Sequence, residues 1–313
     1  MKNSPLLPLL LFSFLVNGLT NAIAADKNTK GIWTDPKKAS AEDPDFSLQG
    51  EYVKNGLGVQ VAALGKGNFY MSKFKGGLPG QGWDRSNPVV QILKSDELTK
   101  MVKGMKKELR VSPSLGAKPP KGAIVLFDGK ENPKIKGQVK DQLLMAGAQT
   151  TDNYGDFTLH LEFRLPYKPE SPLSSQDRGN SGIYLQNRYE TQVLDSFGLV
   201  YDREQVKVPI KSDPKQWCGC FYKFKTADTP MCYPPLSWQT YDIDFQAPKF
   251  DGEKKISDAK ITVKQNGVTI HDNVQLPKGT GAGGGRKEVA EGPIIFQGHG
   301  NPVAFRNIWI MPR

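Results

Sequence analysis

Along most of the chain, apolar and polar residues alternate at a period of two, in short runs closed by glycine or proline. Residues 46–53, 58–65, 68–77 and 89–94 read as strands in this way, and the "GKGN" between two of them reads as a hairpin turn. One stretch departs from the pattern. Leu98, Met101, Val102, Met105 and Leu109 fall at helical spacing with Ser95 ahead of them as an N-cap, which predicts a helix over 95–110 interrupted at Gly104. "VSPSLGAKPPKG" then reads as a Pro/Gly linker with a boundary near Gly116. From there strands resume at 123–127, 142–146, 157–165, 182–187, 189–195, 237–247, 260–273, 292–298 and 303–311, with "QNGV" as a two-residue hairpin signal. So many strands without a helical run predict an all-β, two-sheet sandwich of jelly-roll type over 116–313, preceded by a smaller β-rich region over 25–115.

The first 24 residues stand outside this pattern. Lys2, the apolar run "LLPLLLFSFLV" and the small-x-small "AIA" at 22–24 read as a signal peptide, so the remainder is expected to be exported, to the periplasm or beyond. Asn17 and Gly18 stop the apolar run short of a membrane span, and no later segment is long enough for one. The chain of 313 residues carries a net charge of +10, but its lysines are scattered singly or in pairs. That distribution lacks the basic stripe of a nucleic-acid surface, so nucleic acid is excluded as a partner. The composition does not address oligomeric state. All three cysteines, Cys218, Cys220 and Cys232, lie in "QWCGCFYKFKTADTPMCYPP". Export permits a disulfide, expected between Cys232 and either Cys218 or Cys220; a three-thiolate metal site is the weaker reading, with no histidine nearby.

Strand alternation also sorts the polar residues. In "YETQVLD", Glu190, Gln192 and Leu194 share one face, and Tyr189, Thr191, Val193 and Asp195 the other. Ile295, Gln297 and His299 share a face further on, and Asn180 and Ser181 precede another strand. A sheet face carrying Glu, Gln, His and Arg suits a sugar, with Tyr184, Tyr189 and Trp309 available to stack on a ring. Direct glycoside hydrolysis needs two carboxylates about 5–9 Å apart. Glu190 and Asp195 lie roughly 16–17 Å apart along a strand and on opposite faces, so they are not such a pair. Of the histidines, His160 reads as structural or exposed, His271 as solvated beside a hairpin, and His299, between two glycines, as the functional one. His299 with Glu190 could form a base and its partner, or two ligands of a weak divalent-metal site.

The blocks "DNYGDFTLHLEFR", "GNSGIYLQNRYETQVLDS", "PPLSWQTYDIDFQAPKF", "ITVKQNGVTIHDN" and "GPIIFQGHGNPVAFRNIWIMP", in this order, resemble the 3-keto-disaccharide hydrolase domain family, formerly domain of unknown function 1080. The resemblance covers roughly residues 123–313. It implies a concanavalin A-like jelly roll acting on oxidised, 3-keto glycosides. A C3 ketone acidifies the C2 proton, so one base can start elimination of the aglycone, and water can then add back. On that reading His299 or Glu190 is the base, and Arg306 or a divalent metal stabilises the enolate. Asn180, Tyr184, Gln192 and Gln297 bind the sugar, and Asp195 holds a loop or another site residue. No cofactor beyond that possible metal is implied. The alternative is a lectin-like module that binds sugar without turnover, since this fold hosts both.

Overall fold

The computed structural model describes residues 31–173, 175–201 and 212–313. The leader read at 1–24 lies outside the described residues. Two antiparallel sheets face each other across the main core. The larger runs in the order Val268–Leu276, Ala259–Gln265, Trp238–Gln246, Phe157–Arg164, Ala304–Pro312, Leu143–Met145, Val139–Lys140, with Ile124–Phe127 also pairing the 304–312 strand. The smaller runs Tyr189–Val193, Ser181–Leu185, Ile295–Phe296, Ala148–Thr150, Ile135–Lys136. Alternation explains the packing. Phe157, Leu159, Leu161 and Phe163 bury fully on one face of their strand, and Ile183, Leu185, Tyr189 and Val193 point at them from the opposing sheet. Phe296 meets Phe305 edge-on at 5.1 Å between the sheets. The jelly-roll sandwich expected from the strand pattern is the observed architecture.

The N-terminal strands form a third sheet, in the order Val89–Lys94, Asn68–Lys75, Leu57–Gly65, Gly50–Lys54, Lys106–Glu108. Val59, Val61, Ala63, Phe69 and Met71 on one face make a second core with Leu98 and Tyr167, while Ala62 and Tyr70 on the other join the main core. Residues Gly31–Arg313 form one compact unit. Two local readings change. The segment 44–48 is a short helix begun by Asp43 and Pro44, so the first strand starts only at Gly50. The 95–110 helix ends at Val102, because Gly104 sits at φ +75° and turns the chain into the 106–108 strand. Its start is stabilised by Glu97, which accepts from the Lys94 N–H, rather than by Ser95 as a side-chain cap.

The Pro/Gly linker is strapped across the outer face of the large sheet. Ser114 donates to Asp242, the Gly116 N–H to Glu162 Oε1, and Asn307 Nδ2 and Trp309 Nε1 both donate to the Ala117 carbonyl. Under it lies His160, fully buried, with Nδ1 2.6 Å from Asp242 and its ring stacked on Trp309. Burial pushes the His160 imidazole down, but Asp242 and Glu162 outweigh it and hold it above its usual range. Burial pushes the Glu162 carboxyl up, yet the His160 imidazole 3.9 Å away and hydrogen bonds from Asn307, the Gly116 N–H and Arg306 bring it to about 2.

Glu162 therefore contributes stability that is complete above its unfolded value near 4.5 and is lost as pH falls through about 2. Glu162→Ala should cost about 3 kcal/mol in denaturant unfolding at pH 7, because it leaves the Arg306 guanidinium and the Gly116 N–H without their carboxylate acceptor. The loss should shrink steadily in titrations carried toward pH 2.

Candidate active site

The outward face of the small sheet opens into a cavity of about 640 Å³. Hairpin register builds its floor. Tyr184 and Glu190 are cross-strand partners in the 181–185/189–193 pair, and the 295–296 strand lies alongside and leads into Gln297. Phe296 faces the core, so Gln297 faces the cavity. His299 and Asn301 follow in the next loop, and Asn180, Gln176 and Asp177 wall the cavity ahead of the 181–185 strand. The expected face thus brings Glu190, Tyr184, Gln297, Asn180 and His299 to one opening.

Glu190 is 2% exposed. Its space exists because its diagonal neighbour, Gly182, has no side chain: a Cβ there would lie 2.3 Å from Glu190 Oε1. Gly281, at φ +50°, does the same from the opposite side, 3.2 Å from Oε2. The backbone N–H of Glu190 donates to Thr280 Oγ1, which docks the glycine-rich loop onto the strand. Desolvation pushes the Glu190 carboxyl up to about 7, against a smaller downward pull from the Tyr184 hydroxyl. Glu190 Oε2 and Gln297 Oε1 have no hydrogen-bond partner among the described residues. Buried acceptors of this kind await donors, and sugar hydroxyls supply them.

Gln192 lies fully buried behind the wall, donating through Nε2 to Asn180 Oδ1 and Gln176 Oε1, both at 3.2 Å. It orients two wall residues rather than lining the cavity. Asp195 is likewise a support. Its carboxylate holds the buried Arg178 guanidinium at 2.7 Å. His299 is exposed at the rim.

Arg306 is not in the cavity. It lies on the outer face of the large sheet, with Nε donating to Glu162 at 2.6 Å and its guanidinium 4.0 Å from the Trp238 ring. Plain alternation puts it there, opposite core-facing Phe305, and the β-bulge that follows at Asn307, at φ +44°, shifts the register against 157–164 so that Asn307 and Trp309 reach the same linker side. Trp309 therefore stacks on His160, and Tyr189 packs into the core on Phe245. Neither can stack on a sugar. His271 is buried rather than solvated. Burial holds it down to about 4, its Nε2 bonds the Gly219 carbonyl, and its ring stacks on Phe221 at 3.9 Å. The three cysteines are free, buried thiols rather than a disulfide. Each sulfur meets other polar groups: Cys218 is near Tyr241 and Gln265, Cys220 donates to the Pro214 carbonyl, and Cys232 donates to the carbonyls of Leu194 and Tyr233.

The donor set does not suit a divalent cation. Among the described residues no three His, Cys, Asp or Glu side chains cluster. Glu190 and His299 supply two donors, fewer than the ligand set such a cation takes. Gln176, Asp177, Asn301, the 281–282 turn and two residues of the cysteine-rich segment had escaped the strand reading. Tyr222 and Lys223 line the mouth, and the only hint of them was the aromatic-basic "FYKFK" of the cysteine-rich segment.

Residues 122–311 match the family described as 3-keto-alpha-glucoside-1,2-lyase-like domain. The chain belongs to this family. The lyase-like domain is also similar to solved structures. One from Parabacteroides distasonis ATCC 8503, titled a "putative glycosyl hydrolase", is 31% identical; the match covers 62% of this chain and 84% of that one, with a TM-score of 0.52. A second of the same title and organism is 18% identical, covering 66% and 100%, with a TM-score of 0.45. No curated protein matches. Membership makes the chain a glycosyl hydrolase-like, carbohydrate-active protein. The matched region leaves out the N-terminal sheet.

The placement of Arg306 has a direct check. Arg306→Met should lower the thermal midpoint by a few degrees, through loss of the Glu162 and Trp238 contacts. Sugar binding or turnover by the variant should stay within about threefold of the parent, since a change outside the cavity removes no transition-state contact.

Proposed function

We propose that the protein is an exported enzyme that cleaves 3-keto-glycosides by elimination and hydration, with Glu190 as the base. The observation that carries this reading is the Glu190 carboxyl, buried on the cavity floor and poised at about 7, with one oxygen unpartnered among the described residues. A base works best when its pKa lies near the working pH. Glu190 takes the C2 proton that the C3 ketone has acidified. The electron pair passes through the enolate and expels the aglycone oxygen from C1. Water then adds at C1 while the proton returns to C2, so the net reaction is hydrolysis. Tyr184 is held un-ionised: burial and the adjacent Glu190 push its hydroxyl well above its usual range. It can thus donate to developing charge on the sugar. Gln297, whose Nε2 lies 3.4 Å from the Tyr184 oxygen, and Asn180 supply ring contacts. His299 is the less suited base, being exposed at the rim.

One observation favours a rival. Asp177 lines the same cavity; burial pushes its carboxyl up, but the Lys168 ammonium and the Ser171 hydroxyl outweigh that and hold it low. Two carboxyls displaced in opposite directions are the division of labour of direct glycoside hydrolysis. The substrate separates the two. Elimination requires the ketone, so a 3-keto-glucoside should release its aglycone while the unoxidised parent does not, and solvent deuterium should appear at C2. Equal cleavage of the parent would establish the two-carboxylate route, and binding without turnover of either would leave a lectin.

Glu190→Gln should lower kcat/KM by about a thousandfold. In the parent enzyme kcat/KM should rise with pH to about 7 and then level, since the carboxylate is the active form. Stability should move the other way. Between the unfolded value near 4.5 and the folded value near 7 the native state keeps a proton that the unfolded chain has lost. Stability therefore falls as pH rises through that window, by up to about 3 kcal/mol. Chemical unfolding of Glu190→Gln at pH 8 should show that loss removed.

A further inference from the structure

The cysteine-rich segment supplies Tyr222 and Lys223 to the cavity lining. It runs beside the outer edge of the 189–193 strand. The Gly219 N–H donates to the Gln192 carbonyl, the Gln192 N–H to Cys220, and the Tyr222 N–H to the Glu190 carbonyl. Trp217, Cys218, Cys220 and Phe221 bury beneath it and fix its height. The next two side chains are thereby delivered to the cavity mouth. Tyr222 lies against Gly281, where a Cβ would come within 2.4 Å of its ring. Lys223 is exposed, has no ion pair among the described residues, and adopts φ +57°. Its Nζ sits 5.5 Å from the centre of the Tyr222 ring. A non-glycine residue in the left-handed region costs conformational energy, and such residues gather at functional sites.

The closed end of the cavity holds Glu190, Tyr184 and Gln297, the groups that suit a sugar ring. The aglycone of a ring seated there must leave through the mouth. C1 and its oxygen adjoin the C2 that faces Glu190, so the departing oxygen passes the segment that hydrogen-bonds to Glu190 itself. We propose, on the reading that the chain eliminates aglycones from 3-keto-glycosides, that Tyr222 and Lys223 form the leaving-group subsite. Tyr222 stacks on a ring-bearing aglycone, and the Lys223 ammonium is the acid that protonates the departing oxygen. As the C1–O bond breaks, its electron pair stays on oxygen, which takes the Lys223 proton. In the hydration step the oxygen of water bonds to C1, one of its protons restores the lysine, and the proton held by Glu190 returns to C2.

The test uses 4-nitrophenyl and benzyl 3-keto-glucosides, which share a ring but differ in leaving ability. Lys223→Asn removes the ammonium while asparagine tolerates the left-handed turn. It should lower kcat/KM about a hundredfold for the benzyl substrate and less than tenfold for the nitrophenyl one. Equal losses on both, or no loss on either, would overturn the acid role. Tyr222→Ala should raise KM for both substrates by roughly three- to tenfold. Binding of 4-nitrophenol, followed by its absorbance, reads the subsite without turnover and should weaken by a similar factor in Tyr222→Ala; unchanged binding would overturn the subsite. A parent enzyme inert on both keto sugars, with 4-nitrophenol binding still dependent on Tyr222, would overturn the reaction and the acid role and uphold the subsite.

Discussion

One buried guanidinium joins the parts of this molecule. Arg178 is fully buried, and its charge is balanced by Asp195. Its remaining donors go to the carbonyls of Lys168, Pro169 and Ser171, and to Ala63 of the N-terminal sheet. A buried charge is tolerated only when paired and fully hydrogen-bonded, so these five acceptors are fixed relative to one another. The cavity wall, the end of the 189–193 strand and the N-terminal sheet all meet at that group. Ser72 adds a second tie, donating to the Gly198 carbonyl. The N-terminal sheet thus supports the loops that carry the site. Lys168 extends the same frame by joining Asp177 to Asn301 across the cavity rim.

The parts of this design that follow a period were legible in the sequence. Alternation placed Glu190 apart from Asp195 and put Gln297 with His299, because a strand's side chains obey a fixed period of two. The family was legible too, since its blocks lie on those strands in order. Residues 304–312 were misread where the period breaks. The bulge at Asn307 adds one residue to a strand and reverses everything beyond it, and no single-residue signal announces it. Trp309 was therefore assigned to the wrong face, while Arg306, ahead of the bulge, was misplaced because its strand joins the large sheet and not the one that floors the cavity. His271 was misread for a related reason: its burial comes from Gly219 and Phe221, which are distant in sequence.

The cavity mouth was hidden for a different reason. Scattered lysines normally mark a solvated surface, and Lys223 is exposed. What distinguishes it is backbone conformation and the neighbour that carries it, neither of which composition records. The glycine-rich stretch at 279–285 gives no periodic signal either, yet the absence of side chains lets its backbone lie against Arg188.

Pairing between the cysteine-rich segment and the 189–193 strand has a consequence beyond recognition. That strand is the last in its sheet, and a free edge with unsatisfied amides and carbonyls invites pairing with another chain. The segment at 219–222 occupies those groups and shields them with Trp217 and Phe221. Protection of the sheet edge and the lining of the cavity mouth therefore share one piece of chain. Substitutions in this segment must keep its backbone pairing intact, so variation there should be confined to the residues that project into the mouth.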